Sequence, residues 1–149
     1  MATDGVPDVL RLITRAQKML RAASDDAMSR HGVRIGQNLI LEALWAQDGL
    51  TPGEVAGRLG FSTPTVVNTA GRMEAAGLLE RRRDPADRRL VRLHLTPKGV
   101  AAEQPVQLAR AELAAYATAT LSADERRHLV SALEKIIVRM SVDASSTSD

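Results

Sequence analysis

Residues 50–99 read LTPGEVAGRLGFSTPTVVNTAGRMEAAGLLERRRDPADRRLVRLHLTPKG, and the helix and strand signals in this segment indicate the fold class. It begins with a predicted capping box, because Thr51 and Glu54 are spaced so that each side chain can accept a backbone N–H at a helix start. Proline follows Thr51, as is common at a first helical position. Gly60 suits the left-handed residue that ends a helix. A short helix is therefore predicted between Thr51 and Gly60.

A second helix is predicted after a tight turn. Ser62 or Thr63 can cap it, and Gly77 marks its end. Two helices that cross over a short turn need small and apolar residues on their facing sides. The residues predicted to face inward are Val55, Ala56, Leu59, Phe61, Val66 and Met73. Together these signals indicate a helix-turn-helix.

An antiparallel hairpin is predicted next. Val91, Leu93 and Leu95 alternate with polar residues, which is the period of a strand with one solvated face. The turn letters DPAD separate this segment from LLERRR. We therefore predict strands over 79–83 and 88–95.

Positive charge is concentrated on this hairpin. The whole chain has a net charge of +2, yet residues 81–98 hold seven Lys and Arg against two Asp and Glu. A local excess of this kind is typical of a surface that meets phosphate. The alternative is a basic loop that only keeps the protein soluble.

The second helix of the motif has a polar face. Thr65, Asn68 and Arg72 share one side, since positions i, i+3 and i+7 of a helix lie together. Asn can bond adenine, Thr offers a hydroxyl and a methyl, and Arg reaches guanine or phosphate. The alternative is a polar face that only meets solvent.

Long helices are predicted on both sides of this region. On the N-terminal side, apolar residues at three- and four-residue spacing predict helices over 8–30 and 35–46, with Gly32 as a left-handed stop between them. On the C-terminal side, Thr96 and the proline after it predict a helix of about twenty residues. Pro105 is a candidate kink in that helix.

A last helix is predicted after a second capping box, Ser122 to Glu125. Residues 142–149 are short and polar, and we expect them to be a disordered tail.

Composition excludes several classes of function. The chain has no cysteine, so disulfides and thiolate metal sites are excluded, and His31, His94 and His128 are too far apart in sequence to suggest a metal site. We expect no metal and no cofactor. Motifs of nucleophilic or phosphate-cradling enzymes are missing, and we expect no enzyme activity. No apolar run approaches the about 20 residues of a membrane span, and no secretory signal is evident, so we expect a cytoplasmic protein.

Residues 50–99 resemble the winged helix-turn-helix of the MarR family of bacterial transcriptional regulators. The specific part is R-M-E-x-x-G-L-L-x-R, from Arg72, running into R-D-P-x-D-R-R and L-T-P-x-G with the family's spacing. The flanking helices match only in length and order. The resemblance implies a mainly α fold with a small β-hairpin wing, in which residues 35–95 form the DNA-binding domain and residues 8–34 and 96–141 form dimerisation helices.

The resemblance also implies a partner and a set of contacts. The partner would be double-stranded DNA carrying a pseudo-palindromic operator, bound by a homodimer. In the family, the second arginine after the wing aspartate enters the minor groove, and here that residue is Arg89, oriented by Asp87. Asp87 could instead be a simple turn former, and Asp84 is interpreted as turn chemistry. The full set of expected DNA contacts is Thr63, Thr65, Asn68, Arg72, Arg81, Arg88 and Arg89.

Two positions depart from the family pattern. Asn68 stands where a basic residue is common, and Gly71 stands where an aspartate is common. The operator sequence of another family member therefore cannot be assigned to this chain.

Many relatives release DNA when a small, often phenolic or anionic, effector binds beside the dimerisation helices. His31, Arg34 and Trp45 are the candidates to line such a site here, although each could equally be a packing or helix-end residue. A repressor released by a ligand is thus the main hypothesis. The rival is a winged-helix protein-interaction module that uses its basic wing on an acidic partner.

Overall fold

The computed structural model describes residues 8–145, in which the regular elements are helices apart from one two-stranded hairpin. The elements in chain order are α1 (Val9–Ser29), α2 (Gln37–Ala46), α3 (Pro52–Leu59), α4 (Thr63–Ala75), β1 (Leu79–Arg83), β2 (Val91–Leu95), α5 (Pro97–Ala101), α6 (Glu103–Ala117) and α7 (Ala123–Ser145). The predicted mainly α fold with a small hairpin wing is confirmed.

The chain divides into two compact units between Leu113 and Ala114. The first unit contains α1 to α5, both strands and the larger part of α6, and the second contains the end of α6 and α7. Each unit is defined by the contacts among its own residues. The assignment of residues 8–34 and 96–141 to dimerisation stays a prediction.

The helix-turn-helix forms through the local signals that predicted it. The Thr51 N–H donates to Glu54 Oε2 at 2.9 Å, and the Glu54 N–H donates to Thr51 Oγ1 at 3.2 Å, which completes the capping box at the start of α3. Gly60 ends α3 with φ 67°, in the left-handed region where a side chain is strained. Ser62 is the N-cap of α4, and its Oγ accepts the Thr65 N–H at 3.3 Å.

The core of the first unit lies between α2, α3, α4 and the base of the hairpin. Its largest fully buried side chains include Ile40, Leu41, Leu44, Met73, Leu78, Leu79 and Leu93. The predicted inward residues Val55, Ala56, Val66 and Met73 are buried, and Leu59 packs partly against them. Phe61 was wrongly predicted to face inward: it is 37% exposed, because it lies in the turn after Gly60 and not on a helix face.

The start of α2 differs from its prediction. The helix begins at Gln37, two residues after the predicted Ile35. Gly36 has φ 89°, which no α-helical residue adopts, and the Ile35 N–H donates to the Asp25 carboxylate at 3.0 Å instead of entering a helix.

The predicted helix after Thr96 is broken in two. Helix α5 ends at Ala101 and α6 begins at Glu103. Pro105 explains the position of this break, because it has no N–H to donate to the Ala101 carbonyl and its ring crowds that oxygen.

The second capping box is also present. The Glu125 N–H donates to Ser122 Oγ at 3.1 Å, and the Ser122 N–H donates to Glu125 Oε2 at 2.8 Å. Helix α7 continues to Ser145, so residues 142–145 are helical, contrary to the expected tail. The helical backbone hydrogen bonds continue there despite the polar composition. Residues 146–149 of the expected tail lie outside the described residues.

The end of α4 is fastened to the start of α5. Lys98 Nζ donates to the Ala76 carbonyl at 2.8 Å, and Thr96 Oγ1 donates to the Gly77 carbonyl at 2.5 Å. The Thr96 N–H also donates to the Leu78 carbonyl at 3.2 Å. The first bond satisfies a carbonyl that the end of a helix would otherwise leave without a partner, and the other two satisfy carbonyls of the residues that follow α4.

The apolar stripes of the first and last helices are exposed in the single chain. Exposed members on α1 are Val9, Leu10, Leu12, Ile13, Met19 and Leu20, and those on α7 include Leu129, Leu133, Ile136, Ile137 and Met140. Apolar patches of this length usually mark an interaction surface. Within residues 8–145, none of the helices is both long and apolar enough to cross a bilayer.

Candidate nucleic-acid interface

Helix α4 has one buried and one exposed face. Val66, Ala70 and Met73 have no solvent exposure and fix the helix on the core. The four predicted contact residues on this helix, all exposed, are Thr63, Thr65, Asn68 and Arg72. The helix can therefore present these polar side chains to another molecule without unpacking.

The hairpin loop is wider than predicted. The strands pair from Leu79 with Leu95 to Arg83 with Val91. The Leu90 N–H donates to the Asp87 carbonyl, and the Asp84 N–H donates to the Leu90 carbonyl, both at 2.9 Å. These bonds close a loop over residues 84–90, so residues 88–90, which we predicted to be strand, belong to the loop.

Asp87 holds the Arg89 side chain at the tip of this loop. Arg89 Nε donates to Asp87 Oδ1 at 3.0 Å and Arg89 Nη2 donates to Oδ2 at 3.2 Å. The Arg89 N–H also donates to Oδ1 at 3.1 Å, so Asp87 shapes the turn and orients the guanidinium at once. The Arg89 side chain is nonetheless 91% exposed. A guanidinium is thus held in one plane and left open to solvent.

The same contacts shift both pKa values. The hydrogen bond from the Arg89 side chain, followed by the one from its backbone N–H, lowers the pKa of Asp87. The bond to Asp87 raises the pKa of Arg89. Both groups are therefore charged at neutral pH, as an oriented cation requires.

Asp84 forms the turn, as predicted, and it also binds an arginine that our sequence interpretation left without a role. Its Oδ1 accepts the N–H of Ala86 at 2.7 Å and that of Asp87 at 3.2 Å. Its Oδ2 accepts from Arg92 Nε at 2.5 Å. The register places Arg92 opposite Arg82, and such a like-charge pair was a signal that a carboxylate must lie nearby.

Arg81 is bound to α4. Its Nη2 donates to Glu74 Oε1 at 3.1 Å, and its backbone N–H donates to Glu74 Oε2 at 2.8 Å. That backbone bond is the first cause of the lowered pKa of Glu74. Arg88 is exposed, and its carbonyl accepts from Arg83 Nη1 at 2.8 Å. Arg81 therefore links the wing to α4, whereas Arg88 projects from the loop.

The three candidate effector residues do not come together. His31 lines a cavity of about 530 Å³ in the first unit. Arg34 instead pairs with Asp25 at 3.0 Å, and Trp45 Nε1 donates to the Gly99 carbonyl at 2.9 Å. The other residues that line the cavity are Gln104, Pro105, Leu108, Ala109 and Glu112. The α6 residues carried no sequence signal beyond the helical pattern.

Within residues 8–145, no three His, Asp or Glu side chains are grouped so that they could hold a metal ion.

A helix-turn-helix with an exposed polar face, followed by a two-stranded wing, defines the winged helix-turn-helix class. A model described as the MarR family matches residues 31–90. The HTH-type transcriptional regulator TtmR of Methylorubrum extorquens is 31% identical over 120 residues, which cover 80% of this chain and 60% of TtmR.

Two solved structures extend the likeness. The transcriptional repressor CouR, solved bound to a 23-mer DNA duplex, is 30% identical with a TM-score of 0.77, over 85% of this chain and 89% of CouR. The PcaV transcriptional regulator of Streptomyces coelicolor, solved in complex with its natural ligand, is 28% identical with a TM-score of 0.75, over 97% of this chain and 99% of PcaV. The chain belongs to the MarR family of transcriptional regulators. The alternative of a protein-interaction module is not favoured, because the relatives are transcriptional regulators.

Proposed function

We propose that this chain is a homodimeric, sequence-specific repressor that places α4 in the major groove of its operator and the wing in the adjacent minor groove. The observation that carries the proposal is the bidentate Arg89–Asp87 pair, whose guanidinium is fixed yet 91% exposed. Narrow A·T-rich minor grooves concentrate negative potential, so an oriented arginine there reads shape as well as charge.

The test of DNA binding is a salt titration on duplex fragments selected from the source genome. If six to ten phosphates are contacted, the affinity should fall by roughly 10³- to 10⁵-fold between about 50 and 200 mM salt, because binding displaces counterions from the DNA and added salt opposes that displacement. Indifference to duplex DNA at low salt would contradict the proposal and favour an acidic protein partner instead.

The proposed dimer is supported by the exposed apolar faces of α1 and α7. Residues 8–34 and 96–141 would supply the dimer contacts, and residues 35–95 would supply the DNA contacts. Two copies of α4 related by a twofold axis require a pseudo-palindromic operator with half-site centres about 10 bp apart. Footprinting that finds one unpaired half-site would contradict this geometry.

Asn68→Ala is expected to reduce base discrimination. The proposed contact set is Thr63, Thr65, Asn68, Arg72, Arg81, Arg88 and Arg89. If the exposed Asn68 amide bonds a base edge, its loss costs about 1–3 kcal/mol of discrimination at one position in each half-site. Binding to a set of single-base operator variants measures this. Gln107→Ala, which removes an exposed amide from α6, is the matched control, and a uniform loss across all variants would make Asn68 a backbone contact.

For the effector, we propose a small phenolic molecule in the cavity that His31 and Glu112 line. The Glu112 carboxylate can accept a phenolic O–H, whereas it repels an anion, so an uncharged phenol suits this lining better than a carboxylate ligand. The effector can release DNA only by binding one conformation of the protein more tightly than another.

Phenol and benzoate distinguish these chemistries. Phenol is expected to lower operator affinity of the natural sequence, with benzoate ineffective, in a fluorescence anisotropy titration. Glu112→Ala should abolish the response to phenol, and the matched control Glu103→Ala, an exposed carboxylate on the same helix, should keep it. A response to benzoate alone would contradict the phenolic assignment.

A further inference from the structure

Arg92 joins the wing to the start of the helix-turn-helix. Its Nη1 donates to the Gly49 carbonyl at 2.9 Å and lies 3.8 Å from Glu54 Oε2, while its Nε donates to Asp84 Oδ2 at 2.5 Å. Gly49 and Glu54 flank the start of α3, and Asp84 begins the wing loop. The Arg92 and Asp84 side chains are only 32% and 12% exposed. One guanidinium therefore bridges segments that are thirty or more residues apart in the chain.

The contacts continue from Asp84 to the tip of the wing. The Asp84 carboxylate accepts the backbone N–H groups of Ala86 and Asp87. Asp87 in turn accepts from the Arg89 side chain. A continuous set of hydrogen bonds thus runs from Gly49, just before α3, through Arg92 and Asp84, to the guanidinium proposed to enter the minor groove.

The charges along this set support one another. The hydrogen bond from Arg92 is the first cause of the lowered pKa of Asp84, and the same bond raises the pKa of Arg92. Both groups are therefore ionised at neutral pH, and charge-assisted hydrogen bonds are stronger than neutral ones.

We propose that Arg92 is a positioning residue, which fixes the wing tip against the helix-turn-helix and so fixes the separation between Arg89 and the exposed face of α4. This inference rests on the proposed DNA-binding function. An isolated two-stranded hairpin is only marginally stable in water, so the tip needs such a tie to keep one position. Arg92 itself would not contact DNA. By fixing the separation between Arg89 and α4, it would determine how far apart the minor-groove site and the major-groove site must lie in an operator that the protein binds.

Arg82 provides a matched control. It lies directly opposite Arg92 in the strand register and carries the same charge. Its side chain is 60% exposed and pairs with Glu80 of the same strand at 2.8 Å. Arg82→Ala therefore removes one positive charge from the same part of the wing and leaves the bridge to α3 intact.

The first experiment compares operator affinity at fixed salt for Arg92→Ala, Arg82→Ala, Arg89→Ala and the Arg89→Ala/Arg92→Ala double variant. Each variant is tested on two operators, which have either A·T or G·C pairs at the base steps where the wing is proposed to enter the minor groove. Arg92→Ala is expected to lose about tenfold in affinity together with the preference for A·T steps, whereas Arg82→Ala should stay within about twofold. If Arg92 acts through Arg89, the double variant binds like Arg89→Ala alone. Additive losses, or equal effects of Arg92→Ala and Arg82→Ala, would overturn the proposal.

A second measurement does not depend on DNA. Amide hydrogen exchange at Ala86 and Asp87 in the free protein is expected to be faster in Arg92→Ala than in the natural sequence, and unchanged in Arg82→Ala. Unchanged exchange in Arg92→Ala overturns the positioning role whether or not DNA binds. Absence of DNA binding by the natural sequence, with the exchange difference present, would instead overturn the proposed function alone. Asp84→Asn, which keeps an acceptor for the turn and removes the charge facing Arg92, should reproduce both effects if Arg92→Ala does not fold.

Discussion

Arg89→Ala is expected to weaken operator binding by about 10- to 150-fold, because a hydrogen bond to a charged group contributes about 1.5–3 kcal/mol. The side chain is almost fully exposed, and within residues 8–145 its hydrogen bonds go to Asp87 of the wing loop, so its removal should leave helicity and thermal stability unchanged. Binding to the same operator by fluorescence anisotropy, with circular dichroism for the fold, measures both parts.

Two further variants distinguish the contribution of the Arg89 charge to operator affinity from that of its orientation by Asp87. Asp87→Ala keeps the Arg89 charge but removes its orientation, and should reduce affinity less than Arg89→Ala. Arg82→Ala removes a wing charge that Glu80 already pairs, and should have little effect. If Arg89→Ala binds the operator as tightly as the natural sequence does, the proposed role of Arg89 in the minor groove is ruled out.

Gly99→Ala is expected to destabilise the protein by about 3 kcal/mol or more, since overpacking against fixed backbone leaves little room for adjustment. A Cβ on Gly99 would overlap the Leu78 carbonyl oxygen and lie 3.1 Å from the Leu78 carbonyl carbon and 3.2 Å from Leu95 Cδ2. Neither the Leu78 carbonyl nor the Gly99 backbone can move freely to relieve this overlap. The Leu78 carbonyl accepts the Thr96 N–H, and the Gly99 carbonyl accepts from Trp45 Nε1.

Urea unfolding monitored by circular dichroism measures this loss. Gly71→Ala is the control, because a Cβ on Gly71 meets no heavy atom within 4 Å and alanine favours a helix interior by up to about 1 kcal/mol. The control should therefore be slightly more stable than the natural sequence. A Gly99→Ala midpoint equal to that of the natural sequence would contradict the close approach to Leu78.

Elements set by neighbouring residues could be predicted from the sequence. Each capping box depends on two side chains three positions apart, and both boxes form as predicted, at Thr51 and at Ser122. The alternation of Val91, Leu93 and Leu95 likewise identified β2, because its period follows from the geometry of a single strand.

Features set by distant contacts could not be predicted in this way. The Ile35 amide is taken by Asp25 of another helix, which shortens α2. Arg92 looked like one more basic residue of the wing, although it binds Gly49, which precedes it by 43 positions. No local pattern encodes such a pair.

The candidate sites show the same contrast. The pairing of Asp87 with Arg89 spans two residues, and the resemblance of the wing motif to the MarR family implied it. Trp45 was a candidate effector residue, but its indole N–H is bound to the Gly99 carbonyl, 54 positions away. The cavity beside His31 is completed by α6, whose contribution depends on packing rather than on sequence spacing.

The fastening of α4 to α5 has a mechanical consequence. Because Thr96 and Lys98 donate to the carbonyls of Gly77 and Ala76, the end of α4 is tied to the segment that leads into α6. A displacement of that segment is therefore expected to move the end of α4 with it. That segment is interrupted at Ala102, between α5 and α6, beside the Ala101 carbonyl to which Pro105 cannot donate a helical hydrogen bond.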